Sequence, residues 1–318
     1  MSISSCFRYP GGKSKKAVRD QILAYLPPST QEYREPFVGG GGIFFGLDRA
    51  KIKSAWINDK NSALIAVYKA LKEFPDEFIE ACRRIESPKA GEIAVSTKTA
   101  TGAKYNKRLG EIFSLFAEGK SIPVPANIGN DSPVYAAMRY YFINRTVWAG
   151  RVNFQPGFES RMYYSNPTGW KIIDRDGYLE SVAEHIKALN TKITIGDYND
   201  LLTAPGENVW IYLDPPYLVD TGFNKGSKLY ECGFNKDDHA KFAANCLACP
   251  HNLCISYDDL PDIRNLFSDP KFRINEHTWT YCGTTNDEKK VGKELIITNY
   301  DKPTQTPSTP KGNLFMTV

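Results

Sequence analysis

Val209-Trp210-Ile211-Tyr212-Leu213-Asp214-Pro215-Pro216-Tyr217 decides how the rest of this chain is read. Val209 to Leu213 form a short apolar run rich in β-branched and aromatic residues, the pattern of a buried strand. Asp214 ends it. Pro215 and Pro216 supply no backbone N–H and restrict the residues before them, so the chain leaves the sheet in a stiff, extended turn. A carboxylate, two free carbonyls and the Tyr217 ring are thereby expected at the carboxyl end of a strand, the edge at which open α/β sheets bind ligands. Taken alone, the tetrapeptide also fits an ordinary proline turn, and its context has to decide.

The chemistry suited to such a group is transfer to an exocyclic amine. The amine of adenine is a weak nucleophile because its lone pair is delocalised into the ring. An Asp carboxylate and a Pro carbonyl, both acceptors, can hold its two hydrogens and free that lone pair. An aromatic ring beside them can stack on a base taken out of a duplex.

Working outward, Tyr33-Arg34-Glu35-Pro36-Phe37-Val38-Gly39-Gly40-Gly41-Gly42-Ile43-Phe44-Phe45-Gly46-Leu47 reads as a short strand, a glycine loop and an apolar helix. Such a loop has no Cβ atoms to fend off a ligand. It lacks both the G-x-G-x-x-G spacing of dinucleotide binders and the Lys-Ser/Thr of a P-loop, so a neutral or zwitterionic nucleoside fits better than a triphosphate. Ala55 to Asp59 reads as a second strand ending in an acid. Asp59 stands where a carboxylate accepts hydrogen bonds from a ribose diol, or it caps the following helix. Upstream, Pro10-Gly11-Gly12 makes a tight turn, with a helix predicted from Lys13 to about Leu26 on the spacing of Val18, Ile22 and Leu26. That loop either holds the amino-acid end of a cofactor at a helix N-terminus or is a solvated surface turn.

With these stretches in place the chain resembles the α-class DNA N6-adenine methyltransferases, the family of the DNA adenine methylases. The resemblance rests on Arg8-Tyr9-Pro10-Gly11-Gly12-Lys13, Glu35-Pro36-Phe37-Val38-Gly39-Gly40-Gly41, Asn58-Asp59 and Asp214-Pro215-Pro216-Tyr217, in that order. It implies that Arg8, Tyr9, Gly12, Lys13, Glu35, Phe37, Gly39 and Gly41 hold S-adenosyl-L-methionine. Asp59 would take its ribose hydroxyls and Asp197 would lie near its adenine, although a Gly-Asp after a strand is also a common turn. Asp214, Pro215, Pro216 and Tyr217 would be catalytic. The family's recognition segment has an Asn-Arg followed by an aromatic and a Gly, matched by Asn144, Arg145, Trp148 and Gly150; beyond Gly150 the likeness fades, so no target sequence is assigned.

The resemblance implies a Rossmann-like α/β sheet with an inserted, mainly helical target-recognition domain. The expected division is 1–70 and 190–300 for the catalytic domain, 71–189 for the insertion and 301–318 for a disordered Thr/Pro-rich tail. Between Asp59 and Asp197, Leu64 to Ile85 continues as amphipathic helix interrupted at Phe74-Pro75, and Tyr135 to Ile143 is helical. Beyond it, Arg145, Arg151, Arg161 and Lys171 alternate with aromatics, a mixture suited to phosphates and unstacked bases. A small aromatic core explains part of that pattern equally well. Arg151, Lys225 and Lys228 are expected at DNA, the two lysines on a loop after the Asp-Pro-Pro-Tyr turn. Lys236 to Cys246 reads as a helix, and Leu253 to Tyr257, Phe272 to Tyr281 and Lys293 to Tyr300 as later strands.

Composition bounds the rest. The 318 residues carry a formal net charge of +4, a mild excess compatible with a phosphate-bearing partner and common to many enzymes. There is no run of 18 or more apolar residues and no apolar leader in the first 25, and the seven cysteines are scattered. A cytoplasmic monomer acting on double-stranded DNA is expected, with or without a separately acting restriction endonuclease. Cys246, Cys249, His251 and Cys254 are ligand types that zinc accepts, but a helix end and an apolar strand favour buried structural cysteines, and no metal is assigned. Two alternatives stand beside adenine-N6 transfer: the N4 amine of cytosine, and a catalytically silent DNA-binding protein on the same scaffold.

Overall fold

The computed structural model describes residues 3–8, 13, 15–85, 132–147, 152, 177–218, 234–280 and 291–304. Its centre is a seven-stranded sheet built from β1 (Glu32–Glu35), β2 (Ser54–Asp59), β3 (Lys192–Ile195), β4 (Val209–Leu213), β5 (Asn252–Asp258), β6 (Arg273–Thr280) and β7 (Val291–Thr298). The order is β3-β2-β1-β4-β5-β7-β6. Pairs from β3 through β5 are parallel, and β7 runs antiparallel to both β5 and β6. The order reverses between β1 and β4, which leaves a crevice at the carboxyl ends of those two strands.

β4 shows why the sheet is a buried centre. All five of its residues are buried. Trp210 and Tyr212 point into one core, while Val209, Ile211 and Leu213 point into the other. A strand covered on both faces needs the continuous apolar run that the sequence displays.

The first face is covered by α1 (Lys16–Leu23), α2 (Ser62–Glu73), α3 (Pro75–Arg84), α4 (Pro133–Thr146) and α5 (Tyr178–Ala188), which share one core with the sheet. The second is covered by α6 (Asn199–Thr203), α7 (Lys236–Ala248) and α8 (Pro261–Leu266). Local signals set the ends. Asn61 caps α2 by accepting from the Leu64 amide at 3.0 Å. Pro75 then opens α3 with Asp76 and Glu77 in its first turn, where the helix dipole favours acids. Ser132 caps α4 and Asn235 with Asp238 forms a capping box on α7. On β1 the buried Arg34 donates to the carbonyls of Leu201, Ala204 and Pro205, each at 2.8 Å, so α6 and the turn after it are tied to the sheet.

Several expectations are revised. After the glycine run there is one 3-10 turn, Phe44–Gly46, in place of an apolar helix. Phe44, Phe45 and Leu47 are all fully buried, and Leu47 has already returned to extended backbone, so these side chains fill the core from a single turn. The first helix starts at Lys16 and ends at Leu23, short of Leu26, which Pro27 follows. Phe78, Tyr141 and Ile186, from the described helices of the 71–189 stretch, lie in the same core as Tyr33 and Trp210, which leaves the expected division of domains open. Cys246 and Cys249 lie in the second core and Cys254 in the first, on opposite faces of the sheet. Residues 281–290, and the tail beyond 304, lie outside the described residues.

Candidate active site

The crevice at the β1/β4 switch point gathers carboxyl groups. Glu35 ends β1, Asp59 ends β2, Asp214 follows β4, Asp258 ends β5, and Glu294 on β7 pairs in register with Asp258. Parallel strands deliver their last residues to one edge, so residues far apart in sequence meet there.

Asp214 is held from two sides. Its Oδ1 accepts from Lys13 Nζ at 2.5 Å and from Ser256 Oγ at 3.2 Å. Ser256 is fully buried on β5 and also bonds the Tyr212 hydroxyl at 2.9 Å. Two strands thus fix the carboxylate. Pro215 is buried, Pro216 and Tyr217 partly so.

The Tyr217 hydroxyl donates to Glu294 Oε2 at 3.0 Å and accepts from Lys13 Nζ. Burial, reinforced by Asp214 and Glu294, pushes the phenol well above its ordinary range, so it remains a donor. Lys13 Nζ lies 4.4 Å from the centre of that ring and 3.5 Å from Glu294 Oε2. Lys13, expected at the cofactor, is therefore found beside Asp214 and Tyr217.

The glycine loop is bound to β2. Gly39 N donates to Asp59 Oδ2 at 3.0 Å, and Asn61 N donates to Asp59 Oδ1 at 2.9 Å. The cap of α2 is Asn61, so the alternative of Asp59 as helix cap is set aside. Gly41 has φ +66°, and a Cβ there would stand 2.6 Å from the Tyr68 hydroxyl. Tyr68 in turn donates to the Gly39 carbonyl at 3.0 Å. The loop needs glycine because a side chain fits neither the backbone nor the space.

Glu35 is buried and accepts from the Tyr33 hydroxyl at 2.7 Å. Burial pushes its carboxyl well above the usual carboxylate range, with Asp214 and Asp59 adding to the rise. Asp258 is raised to about 6, mostly by burial, with Lys13 opposing and Asp214 adding. Phe37 joins an aromatic group, 5.4 Å from Tyr198 and 6.0 Å from Phe242 between ring centres. Asp197 is half exposed, accepts from Asn199 N at 2.9 Å and faces Lys60 at 3.8 Å.

Asn144 and Arg145, expected at DNA, face inward. The Asn144 side chain accepts from Arg8 N at 2.9 Å and donates to Arg8 O at 2.7 Å, while Arg145 donates to the Cys6 carbonyl at 3.2 Å. Both are buried at the end of α4, where they hold the segment of Cys6 and Arg8. Arg8 adds a bond to the Val147 carbonyl at 3.4 Å, and burial beside Arg145 lowers its pKa. Tyr9, Gly12, Trp148, Arg151, Lys225 and Lys228 lie outside the described residues.

Sequence reasoning missed Ser256, Asp258 and Glu294. Glu294 carries a usable signal: an acid directly abutting the apolar run Leu295-Ile296-Ile297 is buried with it and needs partners. The described helices include none long and apolar enough to cross a membrane, and the described residues hold no group of three or more metal-ligating side chains.

Comparison with known proteins agrees with this geometry. The chain matches the family described as D12 class N6 adenine-specific DNA methyltransferase over residues 9–282. It is 26% identical over 300 residues to the type II methyltransferase M1.LlaDCHI of Lactococcus lactis subsp. cremoris, covering 92% of this chain and 94% of that one. It is 25% identical over 249 residues to the type II methyltransferase M.MjaIII of Methanocaldococcus jannaschii, covering 76% and 79%. It is also 25% identical over 306 residues to a DNA adenine methylase of Salmonella typhi, covering 95% and 96%. A match across nearly the whole chain, on a sheet that brings its Asp-Pro-Pro-Tyr turn to the switch point, places this protein in the D12 class of N6 adenine-specific DNA methyltransferases.

Proposed function

We propose that the crevice takes S-adenosyl-L-methionine on the β1/β2 side and an adenine turned out of duplex DNA on the β4 side, with methyl transfer between them. Asp214 carries this reading: a partly exposed carboxylate oriented by Ser256 at the end of a buried strand, followed by a carbonyl and an aromatic ring.

The chemistry of the site suits that cofactor. Its sulfonium and ammonium carry positive charge, and Asp214, Asp258 and Glu294 stand around Lys13 in an acidic crevice. When bound, the cofactor supplies an electrophilic methyl group. Asp59 would accept the ribose hydroxyls, the Gly39–Gly41 loop would lie against the nucleoside without Cβ contacts, and Phe37 and Asp197 would flank its base. Arg8, Tyr9, Gly12 and Glu35 would hold the methionine end, with Asn144 and Arg145 acting through Arg8 and Cys6.

At the target, Asp214 and the Pro215 carbonyl accept one amine hydrogen each. Both acceptors pull on N–H bonds, which returns the lone pair to nitrogen and aims it at the methyl carbon. The Tyr217 ring gives the base a face to stack on. No covalent enzyme intermediate is needed. Because the described helices up to Ile85, around Pro133–Thr146 and from Tyr178 belong to the central layer, target recognition is assigned to residues 86–131 and 148–176, with Arg151, Trp148, Lys225 and Lys228 as DNA contacts. Relatives named type II methyltransferases favour a modification enzyme beside a separate endonuclease.

The test is incubation with unmethylated duplex DNA and methyl-labelled S-adenosyl-L-methionine, followed by nucleoside mass spectrometry. Label is expected in N6-methyladenine, and Asp214→Ala should lower transfer by at least about 100-fold while cofactor binding persists. Label in N4-methylcytosine, or an active Asp214→Ala protein, refutes the assignment.

A further inference from the structure

Lys13 and Glu294 bear on how the target amine enters. The Lys13 ammonium donates to Oδ1 of Asp214, the carboxylate read here as the acceptor of an incoming amine hydrogen. It donates as well to the Tyr217 hydroxyl, whose own hydrogen goes to Glu294. The donor count is consistent: an ammonium has three hydrogens and no acceptor, and a phenol has one hydrogen and lone pairs to spare. The protein's own amine thus already engages the carboxylate that the substrate's amine is to use, and Glu294, 1% exposed, lies within 3.5 Å of it.

We propose that Glu294 is a positioning residue for methyl transfer: it holds the Tyr217 ring by its hydroxyl and receives the Lys13 ammonium when the target amine takes Asp214. The proposal rests on the reading of Asp214 as the amine acceptor. Lys13 Nζ is already 3.5 Å from Glu294 Oε2, so a shift of about 0.7 Å completes a charge-assisted hydrogen bond. Keeping the ammonium inside the site favours this route, because a buried carboxylate that loses its counter-ion is strongly destabilised. The swap also leaves Tyr217 in place, since its bond to Glu294 is made in both states.

The experiment is single-turnover methyl transfer at saturating DNA and cofactor. Glu294→Gln keeps an acceptor for the Tyr217 hydroxyl but removes the charge, so Lys13 stays on Asp214. The rate constant should fall at least about tenfold, while the affinity for S-adenosylhomocysteine, read by calorimetry, stays within about twofold. Adding Lys13→Met to Glu294→Gln should raise the rate again by at least about fivefold, which a purely structural glutamate would not produce. An unchanged rate in Glu294→Gln, or a double variant no faster than Glu294→Gln, overturns the proposal.

A second measurement needs no variant. In the wild-type protein bound to target duplex and S-adenosylhomocysteine, a crystal structure should show Lys13 Nζ on Glu294 and off Asp214. Lys13 still on Asp214 beside a docked base, or withdrawn from Glu294 to the DNA, overturns it. Methylation of the same duplex by the wild-type protein is the control: its failure would count against the adenine reading and not against the lysine exchange.

Discussion

Gly41→Ala probes how the glycine loop is held, and its cost can be worked from the contacts. The backbone there has φ +66°, and an added Cβ would meet the Tyr68 hydroxyl at 2.6 Å and the Phe45 ring at 3.0 Å. A left-handed conformation costs an L residue about 1–2 kcal/mol. The hydroxyl must also give way, which breaks its 3.0 Å bond to the Gly39 carbonyl. Losing that bond costs about 1 kcal/mol, and more where the buried carbonyl is left unpaired. The sum is about 3 kcal/mol. Tyr68→Phe removes the hydroxyl beforehand, so Gly41→Ala in that background should cost only the backbone part, about 1–2 kcal/mol. Urea unfolding of the four proteins gives the coupling. If Gly41→Ala costs the same in both backgrounds to within about 0.5 kcal/mol, the Tyr68 contact is not what excludes a side chain.

Two further outcomes follow from the surroundings of the site. Burial raises the Asp258 carboxyl to about 6, so the folded protein keeps a proton that the unfolded chain releases near pH 4. Stability should fall as pH rises across that window, with the penalty complete above about pH 6. Asp258→Asn should flatten the slope and gain up to about 2 kcal/mol near pH 7, allowing for partial screening; equal urea midpoints for variant and wild type there would contradict it. Asn144→Ala removes two bonds to the Arg8 backbone and should cost about 1–3 kcal/mol. Amide exchange at residues 3–8 should quicken before that of β4, and unchanged protection would show that the segment is held by other contacts.

What was legible in this sequence was local. Val209–Leu213 read as a buried strand because five apolar residues precede a double proline, and the structure has β4 over those residues. Phe74-Pro75 read as a break between helices for the same reason: proline cannot continue the helix before it but fits a first turn. The run Ile43 to Leu47 misled because apolar residues in a row fit one turn pressed into a core as well as a helix, and only packing decides. Asn144 and Arg145 were expected at DNA by likeness of motif, yet they sit in a helix end whose residues Tyr140 to Thr146 are all buried, where polar groups have to find backbone partners.

The meeting of Lys13, Tyr217 and Glu294 had no local signature. Lys13 and Tyr217 are 204 positions apart, and Tyr217 and Glu294 are 77 apart. They converge because β7 enters antiparallel beside β5, which sets Glu294 opposite Asp258 at the end of the sheet where β4 delivers its turn. A parallel β7 would point its last residues to that end, not Glu294 near its start. The charge balance of the site therefore depends on strand direction, a property of the whole sheet. It also explains why the motif alone could name the carboxylate at the switch point but not the ammonium that sits on it.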